Sequence, residues 1–209
     1  DSMSGSFEKL DVPPTLVSFA VTTGKVSDVV SNDFKAAGHK VCLLVPEYDE
    51  NGLPVTESLL AHFDLVTKLM RAGIVVAAYT PGIGGVAEAV MKMALGNGIG
   101  VDFENTSVDE LFGYCYGGFV LEIADHEAVG KCIGVTNSTG KLTFCGEEVA
   151  LDSLLKTYED KLESVYSCNI PDSKAPMENF SFETTSWAAP AIKTAKPKVL
   201  IPAFPGTNC

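Results

Sequence analysis

Apolar residues recur along positions 14–166 with two alternating periods. Residues 16–22 (Leu-Val-Ser-Phe-Ala-Val-Thr) form a strand-like run entered through Pro13-Pro14, which cannot donate to a ladder. Residues 41–45 are apolar at successive positions, as expected of a strand covered on both faces. Over 57–71 the period lengthens: Leu59, Phe63, Val66 and Met70 mark one face of a helix, with Thr56 as expected N-cap and Gly73 as its stop. A strand at 74–79 runs into Thr80-Pro81-Gly82-Ile83-Gly84-Gly85 and a helix over 86–95. Strands follow at 98–103, 119–124, 132–136 and 142–145, with short helices at 108–112 and 126–129 and a last helix over 151–166. Within 119–124, Phe119, Leu121 and Ile123 share a face.

Such alternation predicts an α/β chain of the α+β type, a mixed β-sheet packed with helices, with a meander over 116–145. Both periods stop after Cys168. Residues 169–198 carry four prolines among Ser, Thr and Ala, the composition of an extended connector. Residues 199–201 (Val-Leu-Ile) read as a short strand running into Pro205-Gly206, with no later strand to pair against, so the chain is expected to be a piece of a longer protein. No internal repeat is present.

Charge narrows the function classes. The 209 residues hold 27 acids against 15 bases, a net charge of −12, which repels nucleic-acid phosphates and anionic lipid. The basic cluster Lys193, Lys196 and Lys198 sits among Ala and Pro and reads as solvated linker. No apolar run approaches the ~20 residues of a membrane helix. The cysteines at 42, 115, 132, 145, 168 and 209 form no C-x-x-C pair, and His39, His62 and His126 are not at ligand spacing with them, so no metal site is expected. Cys42, Cys132 and Cys145, inside strand-like runs, are expected to behave as buried hydrophobes. With no signal peptide visible, the expected setting is the reducing cytoplasm.

The Gly-rich turn carries the most chemical information. A turn of this kind opening a helix can offer backbone N–H groups to an anion, which makes Thr80, Gly82, Gly84 and Gly85 candidate phosphate-proximal residues. It matches neither G-x-x-x-x-G-K-[ST] nor G-x-G-x-x-G, and its glycines could equally serve close strand–helix packing. Asp1-Ser2-Met3-Ser4-Gly5-Ser6 has the composition of a flexible terminus. Cys209 has no neighbouring base and is not a catalytic candidate. Asp102, Glu104, Asp109, Glu110 and His126 read as a solvated face, with the acids around Val108 favouring a helix N-terminus through its dipole. No catalytic residue is assigned.

Four segments in order resemble the long-form phosphoribosylformylglycinamidine synthases of purine biosynthesis. They are Asp1-Ser2-Met3-Ser4, the stretch Val12-Pro13-Pro14-Thr15-Leu16-Val17-Ser18, the run from Ala78-Tyr79 to Gly84-Gly85 with its helix, and Pro197-Lys198-Val199 through Cys209. The resemblance implies the C-terminal subdomain of the second synthetase half, with the fold of the aminoimidazole ribonucleotide synthetase C-terminal domain. Residues 1–12 would close the preceding subdomain, 13–168 form the subdomain itself, 169–196 link it to a glutaminase, and 197–209 begin that domain. The partners implied are the remaining synthetase subdomains and the glutaminase of the same chain. The parent reaction would use ATP and Mg²⁺ to activate formylglycinamide ribonucleotide for attack by ammonia from glutamine, and Asp1 and Ser2 join the turn as nucleotide-proximal candidates.

One departure bears on that role. Many long-form relatives carry a loop like H-D-R-S-D-G-G that supplies a carboxylate to nucleotide-bound magnesium. The corresponding Tyr79-Thr80-Pro81-Gly82-Ile83-Gly84-Gly85 has no acid and no Ser. An isolated fragment is expected to be inactive with no nucleotide or metal bound. Alternatives are a non-catalytic scaffold, a structural-nucleotide half-site, or a piece of an aminoimidazole ribonucleotide synthetase-like enzyme.

Overall fold

The computed structural model describes residues 2–7, 9–125 and 127–167, and beyond them 178, 180, 181, 183, 189, 193–196 and 198–204. Two units are resolved, Asp1–Cys168 and Asn169–Cys209.

The first unit opens with a hairpin, β1 (Ser2–Phe7) and β2 (Leu10–Leu16), which make a two-stranded antiparallel sheet of their own. The segment expected to be a flexible terminus is thus a strand. The strand expected over 16–22 lies earlier: 17–22 has no regular structure, and Phe19 and Val21 are exposed. The prolines instead lie inside β2, which among the described residues pairs with β1 alone and so has an edge that needs no donor.

The main sheet has seven strands: β3 (Lys40–Leu44), β4 (Val75–Tyr79), β5 (Gly100–Phe103), β6 (Phe119–Ile123), β7 (Lys131–Asn137), β8 (Lys141–Phe144) and β9 (Glu147–Ala150). Their order is β4-β6-β3-β7-β5-β8-β9, with every pairing antiparallel except β5 with β8. The sheet is therefore mixed and the chain α+β, as the alternation predicts. β3 lies inside the sheet, and period-2 alternation splits its residues between two cores: Val41 and Leu43 face one side, Cys42 and Leu44 the other.

Helices cover both faces. α1 (Thr56–Arg71) lays Val66, Leu69 and Met70 on Cys42, Leu44, Val75, Leu121 and Ile123. On the opposite face, α2 (Gly85–Leu95) buries Val86, Ala89, Val90, Met93 and Ala94 with Leu111 of α3 (Val108–Phe112) and Leu151 of α4 (Leu151–Asp160). Burying a side chain of this size is worth roughly 1.5–3 kcal/mol, so α2 anchors its face of the sheet.

Several expected boundaries shift. Thr56 is the first helical residue of α1 and Val55 the N-cap, which makes no side-chain cap bond. Gly73 does end the helix, at φ +71°. The described residues of 126–129 form no helix. Regular α4 stops at Asp160 and continues as turns. β9 has no counterpart in the sequence pattern. It follows a two-residue turn in which Cys145 (φ 50°) and Gly146 (φ 85°) both adopt positive φ, the geometry of a tight hairpin. Cys145 is consequently exposed rather than buried.

The described residues of the second unit include no helix or strand, and Val199, Leu200, Ile201 and Phe204 are exposed. The described residues 198–204, where a strand is expected, are not in one.

Candidate functional site

β3 and β4 both run antiparallel to β6, so they point the same way. Their C-terminal ends and the start of β6 lie at one edge of the sheet, which gathers the loops 45–55, 80–84 and 113–118. Chain reversals at strand ends are where a sheet presents groups without consuming them in its ladder. The Gly-rich turn sits here.

Its local geometry is closed. The Gly85 N–H donates to the Gly82 carbonyl at 3.1 Å, and Gly85 begins α2 at φ +66°, a conformation that favours glycine. A Cβ on Gly85 would lie 2.7 Å from the Leu111 carbonyl oxygen and 3.2 Å from that of Gly113. The glycine is thus required both by its φ and by the close approach of the 111–113 backbone. Pro81 is buried, Gly82 and Gly84 are half-buried, and Thr80 and Ile83 are exposed.

The N-terminus of α2 already holds an anion. The Gly84 N–H donates to Glu88 Oε2 at 3.0 Å, and the Glu88 N–H closes the first helical bond to the Gly84 carbonyl at 3.3 Å. A Cβ on Gly84 would collide with the Glu88 carboxylate. Lys92 pairs with Glu88 at 2.6 Å. Its ammonium lies 6.0 Å from the Tyr79 ring centre and 5.8 Å from that of Tyr158, within reach of cation–π attraction. The Lys92 hydrogen bond holds the Glu88 carboxyl below its ordinary range, and the Glu88 bond raises Lys92. Charge at the helix start is therefore balanced internally.

Beside the turn, α2, α3 and β8 enclose a groove of about 490 Å³ whose walls include Phe103, Leu111, Phe112, Leu142, Phe144 and Leu154. That lining suits apolar contact, not phosphate. Across the same edge Tyr48, Tyr114 and Tyr116 cluster edge to face, with centroids 5.2 and 5.0 Å apart. The Tyr48 hydroxyl donates to the Tyr116 carbonyl at 2.9 Å, and the Tyr114 hydroxyl to the Gly52 carbonyl at 2.7 Å. Desolvation, with Cys115 and Tyr114 adding to it, pushes Tyr48 up to about 12.

Ser2 lies in β1, in the two-stranded sheet rather than the one carrying the turn, and Asp1 lies outside the described residues. Cys209 and His126 also lie outside them. Glu110 completes a capping box with Ser107: its N–H donates to the Ser107 hydroxyl at 3.3 Å, and its carboxylate accepts the Ser107 N–H at 3.2 Å. The pair with Lys131 lowers its carboxyl. Among the described residues no three His, Cys, Asp or Glu side chains gather as a metal cluster.

One polar network escapes sequence reasoning. Glu122 on β6 is fully buried and accepts the N–H groups of Lys35 (2.8 Å to Oε2, 3.0 Å to Oε1) and Ala36 (3.2 Å), and pairs with His39 Nδ1 at 2.7 Å. Thr136 extends it, accepting the His39 N–H at 2.9 Å and donating to the Ala36 carbonyl at 2.7 Å. These contacts consume the carboxylate in holding the 34–39 loop. The only hint in the sequence is one acid between the apolar Leu121 and Ile123.

No protein-family model matches the chain. Its fold is that of Thermotoga maritima PurL. The phosphoribosylformylglycinamidine synthase II of that organism superposes with a TM-score of 0.53 at 11% identity over 76% of this chain and 31% of its own. The Thermotoga maritima PurLQS structure gives 0.53 at 11% over 78% and 32%. Thermotoga maritima PurL complexed with AMPPCP gives 0.51 at 13% over 62% and 27%. The chain thus spans about a third or less of these Thermotoga maritima chains. Identity this low shows a shared architecture. No described helix is long and apolar enough to cross a membrane.

Proposed function

We propose that this chain is a synthetase subdomain of a phosphoribosylformylglycinamidine synthase, acting as the non-catalytic half of a larger ATP-dependent ligase of cytoplasmic purine biosynthesis. Two independent lines support the parentage: the order of the four sequence segments, and a fold shared with Thermotoga maritima PurL, solved with AMPPCP. The ligase would consume ATP and glutamine-derived ammonia to convert formylglycinamide ribonucleotide to its amidine. The chain's partners would be the other synthetase subdomains and the glutaminase, in keeping with the PurLQS structure among its likenesses.

The observation that carries the non-catalytic role is the Glu88 carboxylate on the Gly84 N–H. A phosphate at the α2 N-terminus would compete with this carboxylate for the same amide and meet its negative charge. Nucleotide-bound magnesium requires several oxygen ligands, and the side-chain oxygens at the turn are the exposed Thr80 hydroxyl and the Glu88 carboxylate, which the Gly84 N–H and Lys92 already engage. The residues present do not fit the nucleotide–magnesium group at this turn. Thr80, Gly82, Gly84 and Gly85 would therefore lie near the nucleotide region of the parent without coordinating it, and the chain's contribution is packing.

The test is ADP release from ATP, Mg²⁺, ammonia and formylglycinamide ribonucleotide. The chain alone should release none, while the parent with its flanking domains should release ADP only when the ribonucleotide is present. Turnover by the chain alone overturns the non-catalytic role, and parent turnover indifferent to the ribonucleotide overturns the parentage.

A further inference from the structure

Two of the free thiols face each other across the centre of the main sheet. Cys42 of β3 and Cys132 of β7 are direct partners in the antiparallel ladder, and both side chains belong to the α1-facing core. Directly opposed residues of an antiparallel ladder hold their Cα atoms about 4.5–5.5 Å apart. A disulfide spans Cα separations of about 4.4–6.8 Å, so the pair is within bridging reach after a small adjustment. The register shift between Val41 and Cys42 places an irregularity at this position, where the ladder can adjust.

The two thiols differ in access. Cys42 is fully buried, and burial followed by the neighbouring Cys132 raises it above its ordinary range, which protects it from direct oxidation. Cys132 is half-buried. We propose that Cys42 and Cys132 are a peroxide-responsive dithiol that closes reversibly into a cross-strand disulfide. The Cys132 thiolate attacks the terminal oxygen of a hydroperoxide; the O–O bond breaks, the sulfur becomes a sulfenic acid, and the alcohol or water leaves with the displaced proton. Cys42 sulfur then attacks the Cys132 sulfur, its proton leaves with the sulfenic hydroxyl as water, and the S–S bond forms. One peroxide is reduced and two thiols are oxidised.

The test treats the folded full chain with stoichiometric hydrogen peroxide and maps its peptides without reduction. The expected product is a single crosslink joining the peptides of Cys42 and Cys132, lost on dithiothreitol treatment. C42A, confirmed folded by circular dichroism, should stop at a sulfenic acid on Cys132 that dimedone traps. Wild-type protein that accumulates dimedone-reactive or sulfinic Cys132 without the crosslink overturns the proposal. So does wild-type protein in which both thiols stay reduced until the chain unfolds. Both of these outcomes are measured on the wild-type chain and so do not depend on the folding of C42A.

Discussion

The carboxylate of Glu88 accepts the backbone N–H of Gly84 at 3.0 Å, so the anion at the start of α2 is one the helix itself carries. The bond places a side chain one turn downstream over an amide that the sequence pattern leaves open. Removing it should uncap the helix. E88A is expected to lower stability by about 1 kcal/mol, read by urea denaturation.

The same pair sets a pH dependence. Lys92 holds the Glu88 carboxyl below its ordinary value of 4.5, so the folded form binds this proton less readily than the unfolded chain does. Its stabilisation is complete above that ordinary value and fades as pH falls through the lower folded one. The stability gap between wild type and E88Q, measured from pH 7 downward, should therefore narrow only below about 4.5.

Gly85 and Gly82 should respond unequally to alanine. At Gly85 a methyl group meets the Leu111 carbonyl at 2.7 Å in a positive-φ conformation, and G85A should cost at least about 2 kcal/mol. At Gly82 nothing lies within 4 Å, and G82A should stay within about 0.5 kcal/mol. Equal losses would show that the turn is held by something other than the 111–113 backbone.

These glycines also show what sequence could convey. The strand–turn–helix and its backbone demands are legible, because Gly-rich turns and a helical apolar period are local signals. The occupant of the helix N-terminus is not, since Glu88 reads as an ordinary helical surface residue until its carboxylate is seen folded back on Gly84. β9 is missed for a related reason: Glu147-Glu148-Val149-Ala150 is too polar to announce a strand, and its turn places Cys145 where Asn or Asp would be the usual signal. The 16–22 run shows the converse failure: its apolar residues suggest a strand, yet only Leu16 belongs to one and 17–22 has no regular structure. Glu122 needs three sequence-distant segments to explain it.

That buried carboxylate should be costly to disturb. E122A leaves the Lys35 and Ala36 N–H groups without their acceptor and should destabilise by about 3 kcal/mol or more, whereas E122Q, which keeps one oxygen acceptor, should cost about 1–3 kcal/mol. Hydrogen exchange at 35 and 36 should accelerate in E122A.

Tyr48 supplies an optical check on the aromatic edge. Its phenol, pushed up to about 12, should ionise late in an ultraviolet titration, and Y48F should remove that late step. Because the folded value exceeds the unfolded one of 10.0, the contribution of Tyr48 is full below pH 10 and lost as pH rises towards 12.

The most direct trial of the packing role follows the amide signals of Gly82, Gly84, Gly85 and Val86 by nitrogen–proton NMR while AMPPCP and Mg²⁺ are added to millimolar excess. An anion site filled by Glu88 predicts that these resonances stay in place in the wild-type chain. Saturable movement centred on Gly84 and Gly85 would mean that nucleotide phosphate displaces the carboxylate, and that this turn binds rather than packs.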